Sequence, residues 1–179
     1  MLKIALTKGR VEPDAIPLLE ACGIDCEPLR NKKRKLVIQL GDSLEVILVK
    51  GGDVLTYLNN GVVDLGIVGS DVLDEQHNKG YELLDLKTGV CRFILASLAD
   101  YDPKAARRQV IGTKYPNITK EYFASKGQDV EIIKIEGSVE LAPLIGLADD
   151  IVDITETGTT LRENNLKIFD WLRPISTRL

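Results

Sequence analysis

The sequence predicts an α/β protein with largely parallel sheets, because short apolar runs of β type alternate with segments of helical period along nearly the whole chain. Glycine and proline punctuate the segment ends, and a 44% hydrophobic content over 179 residues is ample for buried cores. The alternation restarts after the loop around Lys87–Val90, as though a second sheet begins there. Two lobes are therefore expected, with a cleft between them of the kind ligands favour. The first comprises residues 1–90 plus about 166–179, its last strand returning from the second lobe, which spans 91–165.

In order along the chain, strands are predicted at Leu2–Thr7, Leu36–Leu40, Glu45–Val49, Asp64–Val68 and Arg92–Ser97, then at Gln109–Gly112, Val130–Ile135, Ile151–Thr155 and Lys167–Trp171. Helices fill the gaps. Glu12–Cys22 has Pro13 in its first turn and stops at Gly23, Asp53–Asn59 stops before Gly61, and Ile118–Ser125 before Gly127. Ser138–Ala148 begins like a capped helix, although Pro143 and Gly146 should shorten or bend it.

Composition excludes several classes. The N-terminal apolar pattern stops at Lys8, so neither a secretory signal nor a membrane span is read there, and cytoplasm is expected, with no membrane partner. Cys22, Cys26 and Cys91 form no CxxC pair and have no nearby histidine, which suggests neither a disulfide framework nor a zinc site. The only histidine, His77, lies in the polar loop from Asp74 to Gly80 and reads as solvated. A net charge of −4 argues against a nucleic-acid partner. One exception to that acidity is local: Arg30, Lys32, Lys33, Arg34 and Lys35 crowd ahead of Leu36–Leu40, a solvated hairpin edge or a site for a polyanionic small molecule.

The stretch from Asp149 to Leu161, DDIVDITETGTTL, carries the most chemistry. It reads as a buried strand running into a loop of small and hydroxyl residues and then a short helix. Thr157, Gly158, Thr159 and Thr160 can offer N–H groups and hydroxyls to a phosphate, and Gly158 allows close approach. Asp153 and Glu156 are placed to accept from ribose hydroxyls or to hold Mg²⁺ through water. A capped strand-to-helix turn would have the same local composition. Strand, acid and T-G-x-T loop together describe a cradle for a ribose 5-phosphate.

The longer run from Glu140 to Leu161, ELAPLIGLADDIVDITETGTTL, resembles the signature of the ATP phosphoribosyltransferases of histidine biosynthesis. EGSV before it, from Glu136, and NNL after it, from Asn164, are similar to that family too. So are TKGR at Thr7–Arg10, GVVDLGIVG at Gly61–Gly69 and KYP at Lys114–Pro116, in the same order.

The resemblance implies two α/β lobes like the type II periplasmic binding proteins, with ATP and phosphoribosyl pyrophosphate meeting in the cleft. Adenine N1 of ATP would attack C1 of phosphoribosyl pyrophosphate, releasing pyrophosphate. Adenine N1 has a lone pair and no proton to lose, so no strong base is needed. The reaction needs stabilisation of charge on the departing pyrophosphate, which preorganised cations supply. Lys8, Arg34 and Lys50 are the catalytic candidates, with the register between Arg30 and Arg34 open. Glu140, Asp153, Glu156, Thr157, Gly158, Thr159, Thr160 and Leu161 are assigned to phosphoribosyl pyrophosphate. Gly9, Arg10, Gly69, Ser70, Asp71, Thr113, Lys114 and Tyr115 are assigned to the nucleotide. Mg²⁺ is expected to accompany the substrate phosphates, without a dedicated protein cage.

At 179 residues the chain resembles the short form of the family, which works with a regulatory subunit similar to histidyl-tRNA synthetase. A hetero-oligomer is thus implied, and the short form usually continues beyond Ile175–Leu179 through another strand and helix. The alternative from another class is a two-lobed solute-binding or sensor protein for a phosphorylated ligand, which fold alone does not exclude.

Overall fold

The structure, a computed structural model, describes residues 1–77, 80–102 and 108–179. Asn78 and Lys79, part of the polar loop expected around His77, lie outside the described residues. The chain divides into two compact units, Met1–Val90 with Ser176–Leu179, and Cys91–Ile175. Among the described residues no helix is long and apolar enough to cross a membrane.

In the first unit β1 (Leu2–Thr7) leads through α1 (Val11–Ala21) and one turn of α2 (Glu27–Arg30) to the hairpin β2 (Val37–Leu40) and β3 (Leu44–Val49). Then come α3 (Gly51–Asn59), β4 (Leu65–Gly69) and α4 (Ser70–Gln76). β1 lies between β3 and β4 and is parallel to both, while β2 closes one edge antiparallel to β3. Successive strand residues face opposite sides, and the cores follow that alternation. Ile4 and Leu6 of β1 pack with Val11, Ala15, Ile16 and Leu19 of α1. Ala5, between them, packs with Val54 and Leu55 of α3. The chain thus leaves β1 on one side, returns through β3, and crosses to β4 on the other, so the strand order reverses at β1. α2 and α4 are absent from the sequence expectation, because runs of four and seven residues show too little of the helical period.

The second unit runs β5 (Cys91–Leu98), β6 (Gln109–Thr113), α5 (Pro116–Ser125), β7 (Val130–Lys134), α6 (Leu141–Leu144), β8 (Asp150–Thr155), α7 (Thr159–Glu163) and β9 (Leu166–Ile175). Its sheet order is β7-β6-β8-β5-β9. β6 is parallel to β7 and β8, but β5 is antiparallel to both β8 and β9. The sheets are therefore mixed, not largely parallel. Pro143 and the positive φ of +71° at Gly146 confine α6 to one turn of the expected Ser138–Ala148 helix.

The strand expected at Lys167–Trp171 does not return to the first unit. It is part of β9, and apolar burial keeps it in the second: Leu166 and Ile168 pack with Ile94 and Ala96 of β5, and Ile175 with Cys91 and Phe93. Only the last four residues rejoin the first unit, where β10 (Thr177–Arg178) pairs antiparallel with β4. Arg178 there forms ion pairs with Asp85 and Glu82. On the second unit, Lys126 and the Tyr122 hydroxyl of α5 both donate to Asp170 of β9, at 2.6 and 2.5 Å. These bonds hold the Asp170 carboxyl down at about 2.

Asp150, at the start of β8, is 2% exposed. Gln109 Nε2 donates to its Oδ2 at 3.2 Å and to the Tyr101 hydroxyl at 3.1 Å. Burial, opposed in part by the Tyr101 hydrogen bond, pushes the Asp150 carboxyl up to about 6, and neighbouring Asp149 adds to the rise. A raised carboxyl makes the folded state bind its proton more tightly than the unfolded chain, so stability falls as pH rises from the ordinary aspartate value, about 4, through 6. Asp150→Asn is expected to raise unfolding free energy by about 1–3 kcal/mol at pH 8 and by little at pH 4. Urea unfolding of both chains at the two pH values checks it, and an equal change at both would remove ionisation as the cause.

Candidate active site

β8 delivers the strongest constellation. Its Ile151 and Val152 are fully buried, and β6 and β5 hold it on either side, so the chain emerging at Asp153 has a fixed position. Beyond it, Glu140, Asp153, Glu156, Thr157, Gly158, Thr159, Thr160 and Leu161 line one cavity of about 190 Å³, together with Ile94, Ile154 and Thr155. Every residue assigned from sequence to phosphoribosyl pyrophosphate therefore converges on one pocket. Ile94 was not foreseen there, because the antiparallel pairing that sets it opposite Asp153 is not legible in either strand alone.

The loop holds itself open by hydrogen bonds. Gly158 takes the left-handed conformation, φ +71° and ψ 12°, which turns the chain from β8 into α7. Its N–H donates to Thr155 Oγ1 at 3.0 Å, so this group is spent within the loop instead of facing a ligand. Thr157 Oγ1 and Thr159 Oγ1 are 3.0 Å apart. The N–H groups of Thr160 and Leu161, in the first turn of α7, precede the first intrahelical bond, from Arg162 N–H to the Gly158 carbonyl, and are left for other acceptors. Leu161 itself is 5% exposed and packs in the core, so only its main chain can serve a ligand. Arg162, which has no role assigned from the sequence, reaches back into the loop: Nη1 donates to the Thr157 carbonyl at 2.8 Å and Nη2 to Thr159 Oγ1 at 3.0 Å.

The acids give the pocket its electrostatic character. Burial pushes the Asp153 carboxyl up to about 6, against the Ile154 N–H that donates to its Oδ1 at 2.8 Å. Glu140 raises it further, while Lys114 lowers it, so Glu140 and Lys114 both lie within electrostatic reach of Asp153. Glu140 stands at the N-cap of α6 and Glu156 is exposed on the loop.

Lys114 is exposed at the end of β6, the strand next to β8. Its neighbours serve differently from the expectation. Thr113 is fully buried; its hydroxyl donates to the Val152 carbonyl at 2.7 Å and accepts from the Tyr115 N–H at 2.9 Å, so it ties β6 to β8. Tyr115 is 5% exposed, its ring edge-to-face with Phe93 at 4.9 Å. Both position Lys114 and contribute no free side-chain group.

In the first unit the candidates gather at the C-terminal ends of parallel strands. Lys8, Gly9 and Arg10 follow β1, Lys50 follows β3, Gly69 ends β4, and Ser70 and Asp71 open α4 directly after it. Lys8, Arg10 and Lys50 are exposed. Ligands of open α/β sheets bind at strand ends where the order reverses, which here is between β1 and β4. A Cβ at Gly69 would lie 2.1 Å from Asp71 Oδ1, so the bare backbone lets this carboxylate fold over the strand end. Ser70, by contrast, is buried, its N–H donating to the Ser176 carbonyl at 2.9 Å and its Oγ accepting from the Ser176 N–H at 3.3 Å. That hydroxyl anchors the C-terminal segment. Arg30 and Lys32 of the basic run pair with Glu20 and Glu12 of α1. Arg34 is exposed just before β2, whose antiparallel start lies beside the end of β3, where Leu48 N–H donates to the Leu36 carbonyl at 2.7 Å.

The fold is that of a two-unit α/β protein similar to the periplasmic aliphatic sulphonate binding protein SsuA from Escherichia coli. That protein is 13% identical, with a TM-score of 0.60 over 98% of this chain and 64% of its own, a likeness of fold alone. The sequence profile of ATP phosphoribosyltransferase matches residues 50–179. An ATP phosphoribosyltransferase of Lactiplantibacillus plantarum is 64% identical over 179 residues, 99% of this chain and 82% of the relative. One of Listeria innocua is 57% identical over 99% of this chain and 84% of its own length. The ATP phosphoribosyl transferase (HisG:HisZ) complex from Thermotoga maritima contains a chain 40% identical, with a TM-score of 0.83 over 99% of this chain and 86% of that one. The chain belongs to the ATP phosphoribosyltransferase family. It is an enzyme of the pentosyltransferase kind, and these relatives support that reading over the solute-binding alternative.

Gly158 is where a side chain would cost most within the loop. Its left-handed conformation disfavours any Cβ by about 1–2 kcal/mol, although the space is adequate, the nearest atom being Arg162 Nη1 at 3.4 Å. Gly158→Ala is expected to lower stability by that amount in chemical unfolding. A loss below about 0.5 kcal/mol would show that the loop relaxes out of this conformation.

Proposed function

We propose that the chain transfers the phosphoribosyl group of phosphoribosyl pyrophosphate to N1 of ATP, forming N1-(5-phosphoribosyl)-ATP in the first step of histidine biosynthesis, and that the pocket at the end of β8 holds the ribose 5-phosphate. The observation that carries this reading is the convergence of Glu140, Asp153 and the loop from Glu156 to Leu161 on one small cavity, in a chain of this family. The Thr157 hydroxyl and the N–H groups of Thr160 and Leu161 meet the phosphate as donors, with Thr159 bonded to Thr157 beside them. α7 has only five residues, so these local donors, and not a macrodipole, supply the attraction. Asp153, with Glu140 beside it, accepts from the ribose hydroxyls.

The oxocarbenium-like ribose and the departing pyrophosphate set the remaining requirements. Lys8, Lys50 and Arg34 take the pyrophosphate, supported by their exposure around the rim where β1 and β3 end and β2 begins. Between the two arginines left open by sequence, Arg34 is favoured because Arg30 is engaged by Glu20, a pairing that lowers the Glu20 carboxyl and raises the guanidinium. Gly9, Arg10, Gly69, Asp71 and Lys114 are assigned to the nucleotide, with Ser70, Thr113 and Tyr115 holding their neighbours in place. Glu156 would hold, through water, a Mg²⁺ carried with the substrate phosphates, which would offset their charge. The T. maritima neighbour is a complex of two kinds of chain, which supports assembly here with a regulatory subunit resembling histidyl-tRNA synthetase. A cytoplasmic setting suits a biosynthetic enzyme of this family.

The direct test incubates the full chain with ATP, phosphoribosyl pyrophosphate, Mg²⁺ and pyrophosphatase, without and with such a subunit, and seeks the N1 adduct by mass spectrometry. No adduct in either arm would sink the reading.

Asp153 adds a pH signature. Its carboxyl accepts from hydroxyls through both oxygens, with charge assistance, only when ionised, so below about 6 this acceptor is weakened. Phosphoribosyl pyrophosphate affinity is expected to fall as pH drops from 8 to 5 more steeply than the phosphate's own titration requires. Asp153→Asn should weaken affinity roughly tenfold at pH 8 and retain only the phosphate's titration. Calorimetric titration across that range checks it; parallel profiles for the two chains would remove Asp153 from the site.

A further inference from the structure

Arg162 stands outside every role assigned above, yet it makes two bonds into the loop. Its planar fork spans the Thr157 carbonyl and Thr159 Oγ1, at 2.8 and 3.0 Å. A guanidinium only donates, so Thr159 Oγ1 must accept from it. The Thr159 hydroxyl then keeps its own proton, and Thr157 Oγ1, 3.0 Å away, lies where that proton can go. Thr157 Oγ1 also accepts a longer contact, 3.4 Å, from the Thr159 N–H. A hydroxyl that accepts from a cation is the stronger donor, so the chain runs most favourably from Arg162 through Thr159 to Thr157 and leaves the Thr157 proton to donate.

We infer that Arg162 is a positioning residue that sets the direction of the hydroxyl relay Arg162 to Thr159 to Thr157, so that Thr157 presents a proton, not a lone pair, to the ribose 5-phosphate. The inference rests on reading the loop as the phosphate cradle. A phosphoryl oxygen in the dianion only accepts, so a relay running the other way would set lone pair against lone pair. Without Arg162 either threonine can be the donor of the pair, and the proton left over is Thr157's in one arrangement and Thr159's in the other. The effect works through hydrogen bonds and not through long-range charge, because the guanidinium is exposed and its field is screened by solvent. The same fork ties Thr157 to α7, fixing where the hydroxyl stands. Arg162 touches no reacting atom in this scheme, so binding of the phosphate changes and the chemical step at C1 does not.

The experiment measures binding of ribose 5-phosphate and of phosphoribosyl pyrophosphate to the full chain by calorimetry, with kcat and the KM for ATP in parallel. The variants are Arg162→Met, Arg162→Lys, Thr159→Val, Thr157→Val and the double variant Arg162→Met with Thr159→Val, each confirmed as folded by circular dichroism. Arg162→Met and Arg162→Lys are both expected to weaken ribose 5-phosphate roughly tenfold, with kcat at saturation and the KM for ATP unchanged. Lysine keeps the charge but cannot span both acceptors, so wild-type affinity in Arg162→Lys would overturn the relay in favour of simple charge. The double variant is expected to bind no more weakly than its worse single parent, since both changes break one chain of bonds. Losses that multiply would likewise overturn it. Should neither Thr157→Val nor Thr159→Val alter ribose 5-phosphate binding, the cradle itself would fail, whereas a threonine effect with no arginine effect would sink the relay alone.

Discussion

The clamping of β8 between β6 and β5 is the constraint from which the second unit takes its form. Ile151 and Val152 are buried completely because strands lie on both sides, and that burial is worth roughly 1.5–3 kcal/mol per side chain. A strand so held ends at a defined point. Asp153 and the loop beyond it therefore inherit their position from hydrophobic packing several residues upstream. Thr113 strengthens the same clamp from β6, donating to the Val152 carbonyl one residue before Asp153.

That arrangement has an electrostatic cost at both ends of the strand. Asp150 and Asp153 are each pushed up to about 6, chiefly by burial, and among the described residues neither has a cation bonded to it. They are not equivalent. Asp150 is met by Gln109 and Tyr101, neutral groups that tie the strand's start to its neighbours. Asp153 lines the cavity and, among the described residues, accepts only from the adjacent Ile154 N–H at one oxygen, with Glu140 near enough to raise it further. A carboxylate kept in such a place against its solvation preference is poised for hydrogen-bond donors that arrive with a ligand.

Legibility in the sequence tracked how local each feature is. β1, β3, β4 and β8 are short apolar runs bounded by turns, and their existence follows from composition alone. The partnering of β5 and β9 does not, because an eight-residue and a ten-residue strand look alike whether they run parallel or antiparallel to their neighbours. The error over β9 followed from the same source: its exposed Phe169 and Trp171 alternate with inward residues whose sheet only the fold identifies. The loop from Thr157 to Thr160 was legible since hydroxyls, glycine and spacing are chemical facts of the chain. Arg162 was not, because its significance lies in a side chain turning back toward residues three and five positions earlier, where an exposed arginine on a helix gives no signal.

The same distinction separates residues that resemble family positions from those with groups to offer a ligand. Ser70, Thr113 and Tyr115 each stand beside an exposed or half-buried polar neighbour, Asp71 or Lys114, and each has its own side chain committed to the fold. A motif read along the chain counts such residues equally. Packing divides them into those that hold and those that are held: a buried threonine whose hydroxyl already donates and accepts has nothing left for a substrate, yet removing it would move the lysine that does. The loop after β8 repeats this logic on a smaller scale, with Thr155 fixing Gly158 while Thr157 and Thr159 face the cavity. Function in this chain is thus carried by few side chains, each made specific by a neighbour whose polar capacity has been used up.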